Sequence, residues 1–247
     1  MTPHVIQYSG GIASWCAAQR VAAQHGTENT VLLFADTQIE DDDVYTFLRE
    51  GARLLGVPLV EVADGRDPWQ VFEDRQFLGN SRLAPCSYFL KIMPCREWLT
   101  ANADPAQTVL HIGIDPSVSD IKRVPGIVHG WLPWRAEFPL LAEPTLTKAA
   151  MLAEAHTWGL TTPKAYELGF AHANCGQLCV RGGQKHWLRT LKHFPDRYAD
   201  YETREQAFRV RTGKNVAILK ETRQGVVYPL TLAELRRRHE AQTRANT

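Results

Sequence analysis

Short apolar runs alternate with amphipathic stretches through the first 115 residues. Val5-Ile6-Gln7-Tyr8 has the large side chains of a buried strand and stops at Ser9-Gly10-Gly11. The small and apolar residues from Ile12 to Gln24 predict a packed helix. Val31-Leu32-Leu33-Phe34 predicts a second strand, ending at Asp36-Thr37. From Asp42 to Leu55 the apolar residues fall at Val44, Phe47, Leu48, Ala52 and Leu55, the spacing of one helical face. Leu59-Val60-Glu61-Val62 and Val109-Leu110-His111-Ile112-Gly113-Ile114 read as the third and fourth strands. Strands alternating with helices predict an α/β fold, a doubly wound and mostly parallel sheet with right-handed crossovers. In such sheets ligands sit beyond the carboxyl ends of the strands, where the strand order switches. Ser9-Gly10-Gly11, Asp36 and Asp115 all fall at those ends.

Residues 116–145 are rich in Pro, Gly and Trp and read as an irregular, ordered loop. Thr147 to His156 predicts a helix with Lys148 in its first turn. From Pro163 the pattern changes: Cys175 and Cys179 lie among glycines, and basic helices are expected from there to the end. Two regions follow, an α/β domain over 1–160 and a mainly helical region over 161–247 that carries the cysteine block and a basic surface.

Charge separates the same two parts. Residues 180–247 hold 15 Lys and Arg against 7 Asp and Glu, leaving 13 and 20 of the chain's 28 and 27 for residues 1–179. A basic C-terminal surface attracts polyanions, and a solvated helical face explains the same residues. Hydrophobic residues make up 44% of the chain, enough for a sizeable core. No apolar run approaches the roughly 20 residues that span a bilayer, and no charged segment followed by an apolar core opens the chain. A cytoplasmic location and no membrane partner are therefore expected.

The turn Tyr8-Ser9-Gly10-Gly11-Ile12-Ala13-Ser14 joins a strand to a helix. Two glycines let backbone N–H groups close on an anion, the helix adds the positive end of its dipole, and Ser9 and Ser14 supply hydroxyls. Glycines serve plain turns as well. The loop has no lysine, which argues against a Walker-type site.

Ser9 to Ser14 resembles the SGGxxS signature of the PP-loop superfamily, and Phe34-Ala35-Asp36-Thr37 resembles the strand-end Asp-Thr of phosphoadenosine phosphosulfate (PAPS) reductase relatives. His111-Ile112-Gly113-Ile114-Asp115 followed by Lys122 and Arg123 is similar to that family's third segment, and Phe138-Pro139-Leu140-Leu141 with Thr147-Lys148 to its later one. The resemblance covers roughly residues 4–190. It implies an ATP pyrophosphatase that transfers AMP to an oxygen, with Ser9, Gly10, Gly11, Ser14 and Gly113 around ATP. It also implies Asp36 near the ribose or a Mg²⁺, and Arg123 near the charge developing at phosphorus. The family's Lys-Asp inside the loop is Ile12-Ala13 here, which leaves Lys91 or Lys148 as substitutes. The run Glu40-Asp41-Asp42-Asp43 offers Mg²⁺ ligands, but acidic residues at a helix start more often complement the macrodipole.

Of five cysteines, Cys16 lies on the first predicted helix and reads as a small hydrophobe. Cys86, Cys95, Cys175 and Cys179 form two spaced pairs, neither with zinc-ribbon spacing. Three readings stay open: a [4Fe–4S] cluster on all four, a zinc site or persulfide-carrying pair, and unreactive buried thiols. The cluster stands first, since several PAPS-reductase relatives carry one, and the block from Asn174 to Gln184 is similar to a cysteine block in such proteins. His111 reads as a packed core residue, whereas His172, just before the block, lies in reach of a cluster or substrate. Trp131, Trp134 and Trp158 read as core residues before base-stacking ones.

The resemblance is nearest to the PAPS-reductase-like component of DNA phosphorothioation. It implies ATP-dependent adenylation of nucleic acid followed by sulfur insertion in phage defence, with DNA ahead of tRNA and a donor such as a cysteine desulfurase. Cys175 and Cys179 would then be catalytic. Arg181, Lys185, Arg189, Lys192 and Arg236-Arg237-Arg238 suit phosphate docking. A true PAPS or adenylyl-sulfate reductase is the rival, but it expects a later catalytic cysteine, and none follows Cys179. A non-catalytic ATP-binding scaffold is the other alternative.

Overall fold

The apolar runs form the strands they predict. In the computed structural model, which describes residues 3–245, β1 (His4–Gln7) leads into α1 (Ile12–His25), β2 (Thr30–Asp36) into α2 (Asp42–Leu55), and β3 (Leu59–Ala63) into α3 (Pro68–Asp74). A helical stretch follows over 85–102, made of α4 (Pro85–Ser87), a π-helical turn at Tyr88–Ile92, and α5 (Met93–Asn102). Then come β4 (Val109–Ile112), α6 (Val118–Ile121), α7 (Val124–Trp131), β5 (Arg135–Glu137) and α8 (Lys148–Thr157). The remainder is α9 (Lys164–Glu167), α10 (Gln184–His193), α11 (Pro195–Thr212), β6 (Leu219–Arg223), β7 (Val226–Leu230) and α12 (Leu232–Ala245). The outer limits of the two expected regions, residues 1 and 247, lie outside the described residues.

The five-stranded sheet has the order β3-β2-β1-β4-β5, and every pairing in it is parallel. Strand order therefore reverses beside β1. Alternate residues face opposite layers. Ile6, Leu32 and Phe34 pack with Trp15 of α1, Phe47 of α2 and Met151 of α8. Val5, Leu33, Leu110 and Ile112 pack on the other face with Leu99 of α5 and Trp131 of α7. Each fully buried Phe or Leu contributes about 1.5–3 kcal/mol, so two covered faces hold the sheet between helical layers. His111 is buried in this core and bonds His4 across β1 and β4 at 2.8 Å.

Three segments differ from expectation. Residues 116–145 are not one loop but hold α6, α7 and the edge strand β5, whose three residues are too few for a periodic signal. The segment between Cys86 and Cys95, for which no element was expected, is helical, and both cysteines sit on the stretch 85–102. The C-terminal region is not all helix, since β6 and β7 form an antiparallel hairpin. Its two-residue turn places Gln224 at φ +49° and Gly225 at φ +78°, the twist that suits tight hairpins.

The C-terminal elements share a core with the first half. Trp187, Tyr198, Tyr201, Phe208, Ile218 and Leu232 pack with Trp69 and Phe72 of α3 and with Leu78. Among the described residues, no helix is long and apolar enough to cross a membrane. Within this core, the Glu205 carboxylate of α11 accepts the N–H of Ile218 and of Leu232, each at 2.7 Å, tying hairpin and α12 together. Burial pushes the Glu205 carboxyl up to about 7 while the two N–H groups pull it back.

A raised folded-state value means that the group's stabilisation is full below its ordinary value of 4.5 and is lost as pH climbs through about 7. Glu205→Gln sets an amide NH₂ against one N–H donor, an unsatisfied contact costing about 1–3 kcal/mol. The stability gap between wild type and Glu205→Gln, read by urea unfolding, is expected to be widest near pH 4.5 and to narrow towards pH 7. A gap that widens with pH would show the carboxylate anion to be the favoured form.

Candidate functional site

β1 ends at the switch in strand order, and the turn behind it is tightly built. Gly10 has φ +73°, and a Cβ there would stand 2.7 Å from Val44 Cγ1 of α2. Only glycine lets α2 approach this closely with that backbone. Ser14 is buried; its hydroxyl donates to Gly11 O at 2.8 Å and accepts the Ser9 N–H at 3.1 Å. Ser14 therefore braces the loop, while the exposed Ser9 faces outward with Oγ 3.3 Å from Ser14 Oγ. At the start of α1 the Ile12 N–H donates to the Tyr166 hydroxyl at 2.9 Å. An oxygen thus already sits where the helix dipole favours an anion.

The neighbouring strand β4 supplies the second wall. A Cβ on Gly113 would lie 2.6 Å from Ala13 O, so glycine lets this loop touch the first turn of α1. Two residues on, Asp115 Oδ2 pairs with Lys148 Nζ at 2.7 Å. Its other oxygen, Oδ1, is buried with no hydrogen-bond partner among the described residues. A buried carboxylate oxygen left open beside a phosphate-type loop has the donor chemistry for a hard cation such as Mg²⁺. Lys148 also donates to Ala171 O at 2.7 Å, next to the exposed His172. Arg123 stands apart: it is exposed and bonds Asp120 at 2.8 Å.

At the end of β2, Asp36 accepts three bonds, from Gln38 N (2.9 Å), Gln38 Nε2 (3.0 Å) and the Tyr45 hydroxyl (2.6 Å). Most of its lone pairs are committed to the loop. Asp42 and Asp43 of the acidic run stand in the first turn of α2, as the macrodipole reading expects, and the run has a further use. Asp41 pairs with Arg197 at 2.6 Å, and Asp43 accepts the Lys164 N–H at 2.8 Å. Glu40, with its side chain wholly buried, accepts the Cys175 N–H and the Thr37 hydroxyl, the latter at 2.9 Å. These carboxylates fasten the cysteine segment to the carboxyl edge of the sheet.

That segment is wound backwards. Cys175, Gly176 and Gln177 have φ of +60°, +55° and +58°. Left-handed backbone costs roughly 1–2 kcal/mol per non-glycine residue, so it persists only where the surroundings hold it. Besides Glu40, the Arg197 guanidinium donates to Gly176 O at 3.1 Å, and the Thr190 hydroxyl donates to Gln177 O at 2.9 Å. A Cβ on Gly176 would stand 2.8 Å from Ile39 O. The backbone contact with the β2–α2 loop is that close.

Lys91, on the π-helical turn, reaches into this cluster. Its Nζ lies 3.5 Å from Cys175 Sγ and 3.8 Å from Glu40 Oε1. Burial alone would lower the Lys91 ammonium; the charges of Cys175, Glu40 and Cys179 outweigh it and hold the group above its usual value. Cys175 donates to Cys179, and that bond, with help from the Arg181 and Gly182 N–H groups and from Lys91, brings Cys179 down to about 6 against the pull of burial. Cys175 is pushed well up by the same bond and by burial. The shift favours the thiolate of Cys179, the nucleophilic form, over that of Cys175.

The four late cysteines do not make one ligand set. Cys86 and Cys95 lie nine residues apart on one helical stretch, roughly 13.5 Å along its axis, whereas two thiolates on one zinc lie within about 5 Å. Cys95 is buried in the apolar layer with Leu99 and Leu110, and burial pushes its thiol up to about 12. Cys86 is near enough to Cys179 to feel its charge, yet burial raises it to about 11. Among the described residues no group of three or more His, Cys, Asp or Glu side chains is placed to hold a metal ion. The donor set therefore does not fit a four-cysteine cluster, and Cys175 with Cys179 stands as a pair. Cys16 is core, with its thiol pushed by burial up to about 12.

Sequence reasoning missed Tyr166 and the roles of Glu40 and Lys91, which it named as a Mg²⁺ ligand in the acidic run and as a substitute for the loop lysine. Glu40 had a signal, a carboxylate directly after the apolar Ile39 in the loop beyond β2. Tyr166 had none, since only the tertiary fold brings it 154 residues back to Ile12.

No family model matches the sequence, and no curated protein matches it. Among solved structures, the chain is similar to phosphoadenylyl-sulfate (PAPS) reductase from Candida auris in a phosphate complex, with a TM-score of 0.45 and 14% identity over 68% of this chain and 78% of that one. It is also similar to a protein described as a predicted subunit of tRNA methyltransferase from Methanocaldococcus jannaschii, with a TM-score of 0.37 and 14% identity over 63% and 76%. No residue's role is carried over from either.

Two outcomes test this geometry. Gly113→Ala drives a methyl into the first turn of α1, and overpacking of this kind costs about 1–3 kcal/mol; a lowered Tm by calorimetry is expected. Iodoacetamide labelling of Cys179, followed by peptide mass spectrometry, is expected to titrate near pH 6. The midpoint should rise in Cys175→Ala and in Lys91→Gln, and a midpoint above 8 in the wild type would remove the thiolate.

Proposed function

We propose that the protein is an ATP pyrophosphatase of the PP-loop type that adenylates an oxygen of nucleic acid, DNA ahead of tRNA, and then inserts sulfur. The observation that carries this reading is placement. A phosphate-type loop follows β1, and a cysteine pair whose Cys179 is lowered is fastened by Glu40 to the loop after β2, on the same carboxyl edge of one parallel sheet. In this reading Ser9, Gly10, Gly11 and the start of α1 receive the ATP phosphates, with the Tyr166 hydroxyl giving way to a phosphate oxygen. Ser14 and Gly113 shape the cradle rather than contact the nucleotide. Asp115 Oδ1 would hold Mg²⁺, and Asp36 would lie near the ribose. Lys148, held by Asp115, offsets charge where the family's loop lysine is missing, and Arg123 turns from Asp120 to do so as well.

The chemistry balances in three steps. A nucleic-acid oxygen attacks the α-phosphorus, the α–β bond breaks, and pyrophosphate leaves; oriented N–H groups and the cations offset the charge that builds up. The terminal sulfur of a persulfide on Cys179, loaded by a donor such as a cysteine desulfurase, displaces AMP. The Cys175 thiol, losing its proton, attacks the Cys179 sulfur. That releases the sulfurated product and leaves a Cys175–Cys179 disulfide for a small thiol to reduce. Lys91 steadies both thiolates.

One observation favours a second reading. A lowered Cys179, on the same sheet edge as the phosphate-type loop, also suits attack on the sulfuryl group of PAPS, with an adenosine phosphate leaving.

Incubation with ATP, Mg²⁺ and DNA or tRNA is expected to release pyrophosphate and to form a transient adenylylated nucleotide, read by mass spectrometry. Ser9→Ala and Asp115→Asn are expected to lower pyrophosphate release on the order of 10²-fold, the scale of losing one transition-state donor or charge. Sulfite formed from PAPS under the same conditions establishes the second reading, and ATP bound without turnover leaves a scaffold.

A further inference from the structure

The basic excess of the C-terminal region is unevenly committed. In the densest run, Arg236 pairs with Glu202 at 2.7 Å, Arg237 with Glu234 at 2.7 Å, and Arg238 with Glu234 at 2.6 Å and Glu221 at 2.7 Å. Those charges are neutralised where they stand. Helix α10 differs. Lys185, Arg189 and Lys192 fall at i, i+4 and i+7, so they share one face. None of the three has a carboxylate partner among the described residues, and Arg189 lies over the Phe170 ring, 5.6 Å from its centroid. The three line an open groove of 940 Å³ whose other wall is α12, with a floor that includes Leu188 and Leu191. Glu240 is the one carboxylate among the groove's described lining residues.

The other side of the same helix grips the cysteine loop. Trp187 and Thr190 are buried, and His186 Nε2 and Thr190 Oγ1 each meet Gln177 O at 2.9 Å. α10 begins only five residues after Cys179. One rigid helix therefore carries uncommitted cations on one face and positions the thiols with the other.

We propose that this groove binds the sugar–phosphate backbone of DNA, on the face of α10 opposite the one that holds the Cys175–Cys179 loop. The proposal rests on the nucleic-acid reading above and names its docking surface. Seven residues of helix span about 10 Å, the axial length of roughly three phosphates of one strand. Uncommitted Lys and Arg release counterions on meeting such a backbone, whereas cations already paired to carboxylates do not. The paired run at 236–238 is for that reason outside the surface.

The test is fluorescence anisotropy of a short labelled DNA oligonucleotide against the full chain, titrated with salt. Lys185→Gln/Arg189→Gln/Lys192→Gln is expected to weaken binding on the order of tenfold at about 0.1 M salt and to flatten the salt slope by about 2. Arg237→Gln, whose charge Glu234 already cancels, is expected to bind as wild type, and Lys185→Arg/Lys192→Arg to retain affinity. Unchanged binding in the triple variant, or an equal loss in Arg237→Gln, overturns the proposal. Displacement of the DNA by poly-glutamate at lower concentration than by unlabelled DNA overturns it in favour of an acidic protein. Tighter binding of RNA of the same sequence overturns the choice of DNA. Binding of a fluorescent ATP analogue is measured on the same proteins. Wild type that binds DNA through the groove but no ATP defeats the nucleotide reading and leaves the groove standing.

Discussion

The buried carboxylate of Glu40 is the constraint on which the site turns. It sits four residues beyond Asp36, at the carboxyl end of a central strand, with no exposed side-chain surface. An anion so placed is stable only when paired and hydrogen-bonded. The Cys175 N–H, the Thr37 hydroxyl and the Lys91 ammonium meet that need together. In meeting it they bring three distant parts of the chain to one point: the β2–α2 loop, the π-helical turn and the left-handed cysteine turn. Removing Glu40 would leave Lys91 buried without its carboxylate and the cysteine turn without its tether.

Two kinds of force divide the work of docking the C-terminal half. Apolar packing of Trp187, Tyr198 and Phe208 against Trp69 and Phe72 supplies most of the free energy, because it scales with area and has no strong directional preference. It does not set where a thiol points. The contacts of Glu40, Asp41 and Asp43 with Cys175, Arg197 and Lys164 are directional, and they set the register in which the segment lies on the sheet edge. The reversed turn at 175–177 is the local consequence, since only that backbone presents the Cys175 N–H to Glu40 while Gly176 passes against Ile39 O.

The sheet was legible because its strands are nearly uninterrupted apolar runs, each bounded by glycine or aspartate, and α2 because five apolar residues repeat at helical spacing. The candidate loop was legible for the same reason, lying where the first run stops. What escaped was of two kinds. β5 and α6 are three and four residues long and carry no period. The hairpin carried a Gln224-Gly225 turn signal, but the density of charge around it reads as helix. The cysteines misled by count: four thiols in two pairs suggest a cluster, yet Cys95 faces the apolar layer beneath β4, a fact set by which side of α5 meets the sheet. Lys91 and Tyr166 joined the site only through contacts spanning 84 and 154 residues, which no local pattern records.

The fold also explains why thiol and phosphate chemistry would share an edge. In a parallel sheet every strand delivers its carboxyl end to the same side, so loops that follow β1, β2 and β4 are neighbours without further design. The loop after β1 has glycines and a helix dipole for an anion, and the loop after β4 leaves an unmet carboxylate oxygen for a cation. The loop after β2 has neither; it is polar, acidic and already braced by Tyr45. It serves instead as the seat for a second segment, and what that segment brings is sulfur. Lys91 then links the two, for the ammonium that balances Glu40 adds to the Cys175 hydrogen bond and the Arg181 and Gly182 N–H groups in favouring the Cys179 thiolate. Structural pairing and stabilisation of that thiolate share one electrostatic arrangement.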